Sequence, residues 1–179
     1  MSSSAPGNKV EAVQLKGGWN MPFNPAEVEI QSDHELFTAA GLAQRLSPIS
    51  MLVDVPIVIW RLRKDDPMSH LTSQERPHLD NSSVTFLMIN PWTGWAPPQW
   101  QQGIGPVIVA RLDKKPLSVD ALEVIWMFCD ASGELAAEGD LSRSELDARY
   151  KPAAFQKWCV DYKESYKDLG RLQSLELPI

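Results

Sequence analysis

Apolar and polar positions along the chain change period several times, and each change marks an expected element. Ser32-Asp33-His34-Glu35 has the pattern of a capping box, in which a Ser side chain takes an orphan N–H and a Glu reaches back to the cap. Leu36, Ala39, Ala40, Ala43 and Leu46 then recur at intervals of three and four, which predicts a helix over 33–46. Ser47-Pro48 closes it, because the residue before a proline avoids the helical region. The run MLVDVPIVIWRL follows, with β-branched residues at both alternations, so 55–62 is expected as a strand covered on both faces. Pro56 lacks a donor and belongs at the start of that strand or on an edge. Asp54, standing alone before it, reads as a turn or cap residue rather than a functional acid.

The stretch the chain is organised around is VTFLMIN-PWTGWAPPQWQQG-IGPVIVARL. Its apolar ends read as strands over 84–89 and 104–112, paired as an antiparallel hairpin with a long loop at the tip. A helix over 119–132 is then expected. Ser118 caps it, Asp120 suits its positive end, Leu117 staples to Leu122, and Val119, Leu122, Ile125, Trp126 and Cys129 make its apolar stripe. Gly133 ends or bends it, and 134–141 reads as an acidic loop. Ser142-Arg143-Ser144-Glu145 is a second capping box. A last helix over 152–169 starts at Pro152, buries Phe155, Trp158, Cys159, Tyr162, Tyr166 and Leu169, and stops at Gly170.

Outside these elements, 1–18 reads as a flexible tail with at most a short strand at 12–15. Trp19 and Phe23 lie in an irregular arm that their rings pin to the body, and 63–83 is a long polar connection. The fold class expected is α+β: one domain over 19–179, with a small, mainly antiparallel sheet (55–62, 84–89, 104–112) covered on one face by about three helices.

A length of 179 residues suits one domain that buries a core without staples. The net charge of −6 repels phosphate backbones, so neither nucleic acid nor an anionic membrane is expected as a partner. No window approaches the ~20 apolar residues of a membrane span. The first residues, MSSSAPGNKVEA, lack the apolar core of a secretory signal. The setting expected is therefore the cytoplasm, or the nucleus, with Cys129 and Cys159 as free thiols. The sequon Asn81-Ser82-Ser83 carries no meaning there.

Candidate chemistry is sparse. Phosphate loops, dinucleotide fingerprints, nucleophile elbows and metal motifs are absent from the sequence. Gly103-Ile104-Gly105-Pro106 precedes a strand rather than a helix and reads as a turn. His70, His78, Asp65, Asp66 and Asp80 match no compact metal spacing. Cys129 and Cys159 fall on apolar helix faces, where a thiol behaves as a small hydrophobe. Asp54, Asp80 and Asp113 are not paired by any spacing that acid–base chemistry needs. No catalytic residue, metal or cofactor is expected.

What remains is the loop over 91–103, with three Trp, three Pro and no charge. Loops of this length in compact domains tend to be functional or disordered, and three tryptophans argue against disorder. One reading is a lid folded onto its own core. The functional reading is a binding surface made of Trp92, Trp95, Pro97, Pro98, Gln99, Trp100 and Gln102. Tryptophan offers large contact area with few rotatable bonds. The leading expectation is a non-enzymatic interaction module with a protein or peptide partner. The alternatives are a Trp-lined pocket for a small flat ligand, in a binding protein or small enzyme, and a homo-oligomer that uses the loop as its own interface. Trp95, between Gly94 and Ala96, is expected to project, and Trp92, directly after Pro91, to pack inward.

The segment APPQWQQGIGPVIVAR, followed by ALEVIWMFCD, resembles small uncharacterised proteins of filamentous fungi over the central third of the chain. The resemblance implies a fungal cytosol as the source. It implies no activity and no site residues.

Overall fold

The structure, a computed structural model, describes residues 8–17, 23–38, 47–62 and 81–165. The architecture is α+β. Four strands, β1 (Lys9–Leu15), β2 (Pro25–Gln31), β3 (Ile57–Arg61) and β4 (Val107–Arg111), form one antiparallel sheet in the order β2-β1-β4-β3. The helices are α1 (Ser50–Val53), α2 (Ser82–Leu87), α3 (Val119–Glu138), α4 (Arg143–Arg149) and α5 (Pro152–Ser165).

Alternation along the strands divides the core. Val13, Leu15, Ile57, Ile59, Val107 and Val109 face the helices. Val10, Ala12, Val58, Trp60, Ile108 and Ala110 face the other way, where Leu36 and Phe37 cover them. This is why β3 and β4 are apolar at both alternations: the sheet is buried on both sides, as expected for 55–62.

The structure corrects the expected hairpin. Residues 84–89 are not a strand: Ser82–Leu87 is helical and Asn81 is its N-cap. A run of six residues with five apolar among them fits a buried strand or a buried helical turn equally well, and periodicity alone cannot separate them. Here Val84, Leu87 and Met88 bury one face at helical spacing. The Asn81 side chain accepts from Val84 N–H at 3.4 Å and donates to the carbonyls of Gly105 (3.0 Å) and Leu15 (3.4 Å). One buried amide thus starts α2, holds the turn before β4 and fixes the end of β1.

With 84–89 helical, β4 pairs with β3 and β1 instead. Val109 lies between Ile59 and Val13. Residues 9–15, placed within the flexible tail, are an inner strand. The arm expected around Phe23 leads into β2, where PAEVEIQ alternates with a period of two, and the ring of Phe23 stacks on Trp126 at 5.0 Å. Trp19 lies outside the described residues.

The capping box at Ser32 does not form. His34 is the cap: its Nδ1 accepts from Leu36 N–H at 3.1 Å, and Glu35–Phe37 is a single 3-10 turn that ends in extended Thr38. No helix therefore runs unbroken from 33. Residues 39–46 lie outside the described residues.

Helix α3 starts as expected, with Ser118 accepting from Ala121 N–H at 3.2 Å and Leu117 and Leu122 both buried. It does not stop at Gly133. It runs six residues further than the expected 132, through Ala136 and Ala137, and stops where Gly139 takes φ +82. The acidic loop expected over 134–141 is therefore mostly helix. The second capping box, Ser142 with Glu145, is present at the start of α4. Helix α5 begins at Pro152 and carries a ladder of rings. Trp158 stacks on Tyr162 at 4.8 Å, and Phe128 meets the edges of Phe155 and Trp158. The residues expected beyond 165 lie outside the described part. Asp54 is exposed, at φ +51, as the C-cap of α1.

Two tests follow from this frame. Asn81→Ala removes a cap worth about 1 kcal/mol and strips two buried carbonyls of their donor, so the expected loss is about 2–4 kcal/mol. Asn81→Asp keeps the cap acceptor but sets a carboxylate against those carbonyls, and should do no better. Urea melts that shift less than 1 kcal/mol for both would show that the amide is dispensable. Cys129 and Cys159 are both buried thiols outside any disulfide, and burial pushes the Cys129 thiol up to about 12. Neither should react with a thiol reagent in the native protein, while both should react once it is unfolded. Fast native labelling of either would contradict their placement.

Candidate functional site

The tryptophan loop joins α2 to β4, and its two halves behave differently. The first half is a tight turn built by polar groups. Asn90 Oδ1 accepts from Trp92 N–H at 2.8 Å, and the Asn90 carbonyl accepts from Gly94 N–H at 2.8 Å. Asn90 N–H donates to the Trp95 carbonyl at 3.1 Å, closing a short antiparallel bridge. Gly94 sits at φ +76, a conformation that glycine adopts without strain. Thr93 Oγ1 bridges the N–H and the carbonyl of Trp95. The backbone is satisfied inside the turn, so the two rings are not needed to hold it.

Those rings point to water. Trp92 is 64% exposed and Trp95 is 68% exposed. The projection of Trp95 agrees with its small neighbours. Trp92 does not pack inward. Pro91 is buried in its place, and the Asn90 turn carries the next residue out again.

The second half is core. Trp100 is 5% exposed and packs with the helix-side cluster. Its carbonyl accepts from the Thr85 hydroxyl at 2.8 Å, and the Arg61 guanidinium lies 4.8 Å from the centre of its ring. Trp100 therefore leaves the candidate surface and becomes the anchor that holds the loop down. Pro98, Gln99 and Gln102 are exposed and Pro97 is half-buried. Gln101 ties the middle of the loop by donating to the Ala96 carbonyl at 2.6 Å.

Beside the turn lies a half-open cleft of about 510 Å³, within the ~300–1,000 Å³ range of ligand sites. Trp95 and Thr93 line it from the turn, and Gln101 and Gln102 line it further along the loop. Phe86, Ile89 and Gly133 line it where α2 meets α3. A Cβ built on Gly133 would sit 2.9 Å from Ile89 Cδ1 and 3.1 Å from the ring of Phe86. The missing side chain is what lets the two helices meet here. Ala136 and Ala137 continue this small face of α3, and Leu141, Leu146 and Arg143 line the side towards α4. Among the described residues that line the cleft, Arg143 alone carries a charge.

The structure brings Trp95 and Gln102 together at the cleft. Trp92, Pro97, Pro98 and Gln99 do not line it. The opposite wall was missed in the sequence because α3 was expected to end at 132. The signal was present as small residues spaced along one helical face: Gly133, Ala136, Ala137. Among the described residues no group of three His, Cys, Asp or Glu side chains could hold a metal ion. His70, His78, Asp65, Asp66 and Asp80 lie outside the described residues. No described helix is long and apolar enough to cross a membrane.

No family model, no curated protein and no solved structure matches this chain.

The division of the loop sets a test. Trp92→Ala and Trp95→Ala should each move stability by no more than about 0.5 kcal/mol, the usual range for surface positions. Trp100→Ala should cost about 3–5 kcal/mol, as removal of a buried ring does. Equal losses for all three in denaturant melts would mean that the exposed rings are packed in solution.

Proposed function

We propose that the protein is a non-enzymatic interaction module of the cytoplasm or nucleus that takes a segment of a partner protein across Trp92 and Trp95 and into the adjoining cleft. The observation that carries this reading is the position of Trp92. Its ring is 64% exposed and does not line the cleft, so a ligand confined to the cleft would leave it bare. A partner that covers both rings must extend beyond the cleft. The turn also arrives preformed, held by Asn90 and Thr93, so little ordering cost falls on binding. Exposed, rigidly held tryptophans beside an apolar cavity are the usual composition of an interface hot spot.

A second reading has its own support. The cleft is of ligand size, and Trp95 and several neutral hydrogen-bonding groups line it, which favours a small flat ligand bound there alone. Affinity capture from native lysate, paired with sizing, separates the possibilities. The interaction module predicts a protein captured by the wild type and lost with both Trp92→Ala and Trp95→Ala, each variant keeping its native melting temperature. Binding that survives Trp92→Ala but not Trp95→Ala points to the cleft ligand. A wild type that elutes as a dimer, and a Trp92→Ala variant that elutes as a monomer, would assign the rings to self-association and overturn the proposal.

A further inference from the structure

We infer that the segment taken by the cleft is acidic: an apolar or aromatic side chain enters beside Trp95, and a nearby carboxylate of the same segment pairs with Arg143. The inference rests on the proposed reading that turn and cleft receive a partner segment, and it names the chemistry of that segment.

The chain carries −6 overall, yet no carboxylate is found among the described residues lining the cleft, and its one charged group is a cation. Arg143 is exposed and takes part in none of the ion pairs among the described residues. Lys9 pairs with Glu29, Arg111 with Asp113, Lys151 with Asp147 and Lys157 with Asp161, so none of these carboxylates is left for Arg143. The acid one turn along the same helix from Arg143, Asp147, pairs with Lys151 at 3.3 Å, and Glu145 is committed to the cap, where its carboxylate accepts from Ser142 N–H at 2.8 Å. A cation in the first turn also opposes the helix dipole, so the stability of α4 does not account for an arginine there.

The short side chains of Ala136 and Ala137 keep the α3 side of the cleft open, and Phe86, Ile89, Leu141 and Leu146 give it apolar walls that suit an incoming apolar side chain. Gln102 offers a neutral donor and acceptor of the kind an extended backbone needs. An apolar anchor followed by an acid satisfies the cavity and the unpaired guanidinium together. A basic segment would place like charges at the mouth.

The test uses the full chain and a phage-displayed library of random dodecapeptides, with enriched peptides synthesised and measured by calorimetry. Enriched sequences should combine a large apolar residue with Asp or Glu. Arg143→Glu should weaken them by about tenfold, which corresponds to about 1.4 kcal/mol. Replacing the peptide's acid by Lys should restore binding to Arg143→Glu while weakening binding to the wild type, a reciprocal effect that general damage to the fold cannot produce. Because Arg143 is exposed and an acid suits the first turn of α4, the variant should melt no lower than the wild type does.

Enriched peptides without an acidic excess, or peptides that bind Arg143→Glu as well as the wild type, would overturn the inference. If those same peptides were still lost with Trp92→Ala, the interaction reading would stand without it. A library that yields no enriched peptide would overturn both. In that case, saturable binding of 2-naphthoate that is lost with Trp95→Ala would assign the cleft to small aromatic acids.

Discussion

The side chain of Asn81 decides how the middle of this molecule is built. It is 3% exposed, and its amide reaches β1, the turn before β4 and the first turn of α2. A buried amide that finds partners on three segments is specific in a way that apolar contact is not, because a shift in any segment leaves a donor or acceptor unpaired. Once Asn81 starts α2, Val84, Leu87 and Met88 point into the core, Phe86 and Ile89 meet α3 at Gly133, and the chain emerges at Asn90. The tryptophan turn is where it is because that helix ends there. Ser47 adds a second tie, its hydroxyl donating to the Leu87 carbonyl at the other end of the same helix.

How far the sequence could be read follows from the same residues. The α+β class, strands β3 and β4, the caps at Ser118 and Ser142, and the exposure of Trp95 were all legible. Each rests on a local rule: both-face burial, a hydroxyl before a helix, a ring between small neighbours. Helix α2 was not legible. VTFLMI has strand composition and too few residues for a period, and what makes it helical is an asparagine bonded to atoms 24 and 66 residues away in sequence. The strand β2 was legible in principle, since Val28 and Ile30 alternate with Glu27, Glu29 and Gln31, but the prolines and glycines before it have the composition of turns. Helix α3 was cut short by reading Gly133 as a stop. The glycine is there for close approach, and the stop is Gly139, the one of the two that takes a positive φ.

The site was half legible for a similar reason. Its tryptophans lie in one stretch and announce themselves by composition. Its opposite wall comes from α3 and α4, some forty residues later, and consists of a glycine, two alanines, two leucines and an arginine, none unusual alone. Their meaning arises only from the crossing of α2 and α3. Trp100 shows the converse. It shares the stretch, the composition and the neighbours of the exposed rings, yet Thr85 and Arg61 hold it inside.

The uneven exposure of the tryptophans also gives the described part of the molecule optically distinct rings, from interior to water. Trp60 and Trp100 are buried, at 6% and 5% exposure, Trp126 and Trp158 are half-buried, and Trp92 and Trp95 stand in water. Native emission must therefore combine a short-wavelength part from the interior with a long-wavelength part from the turn. A dissolved quencher such as iodide reaches the second part first. Anything that settles on the turn shields that part and shifts it to the blue, so the surface argued to bind carries its own intrinsic fluorophores, and occupancy can be followed without attaching a label.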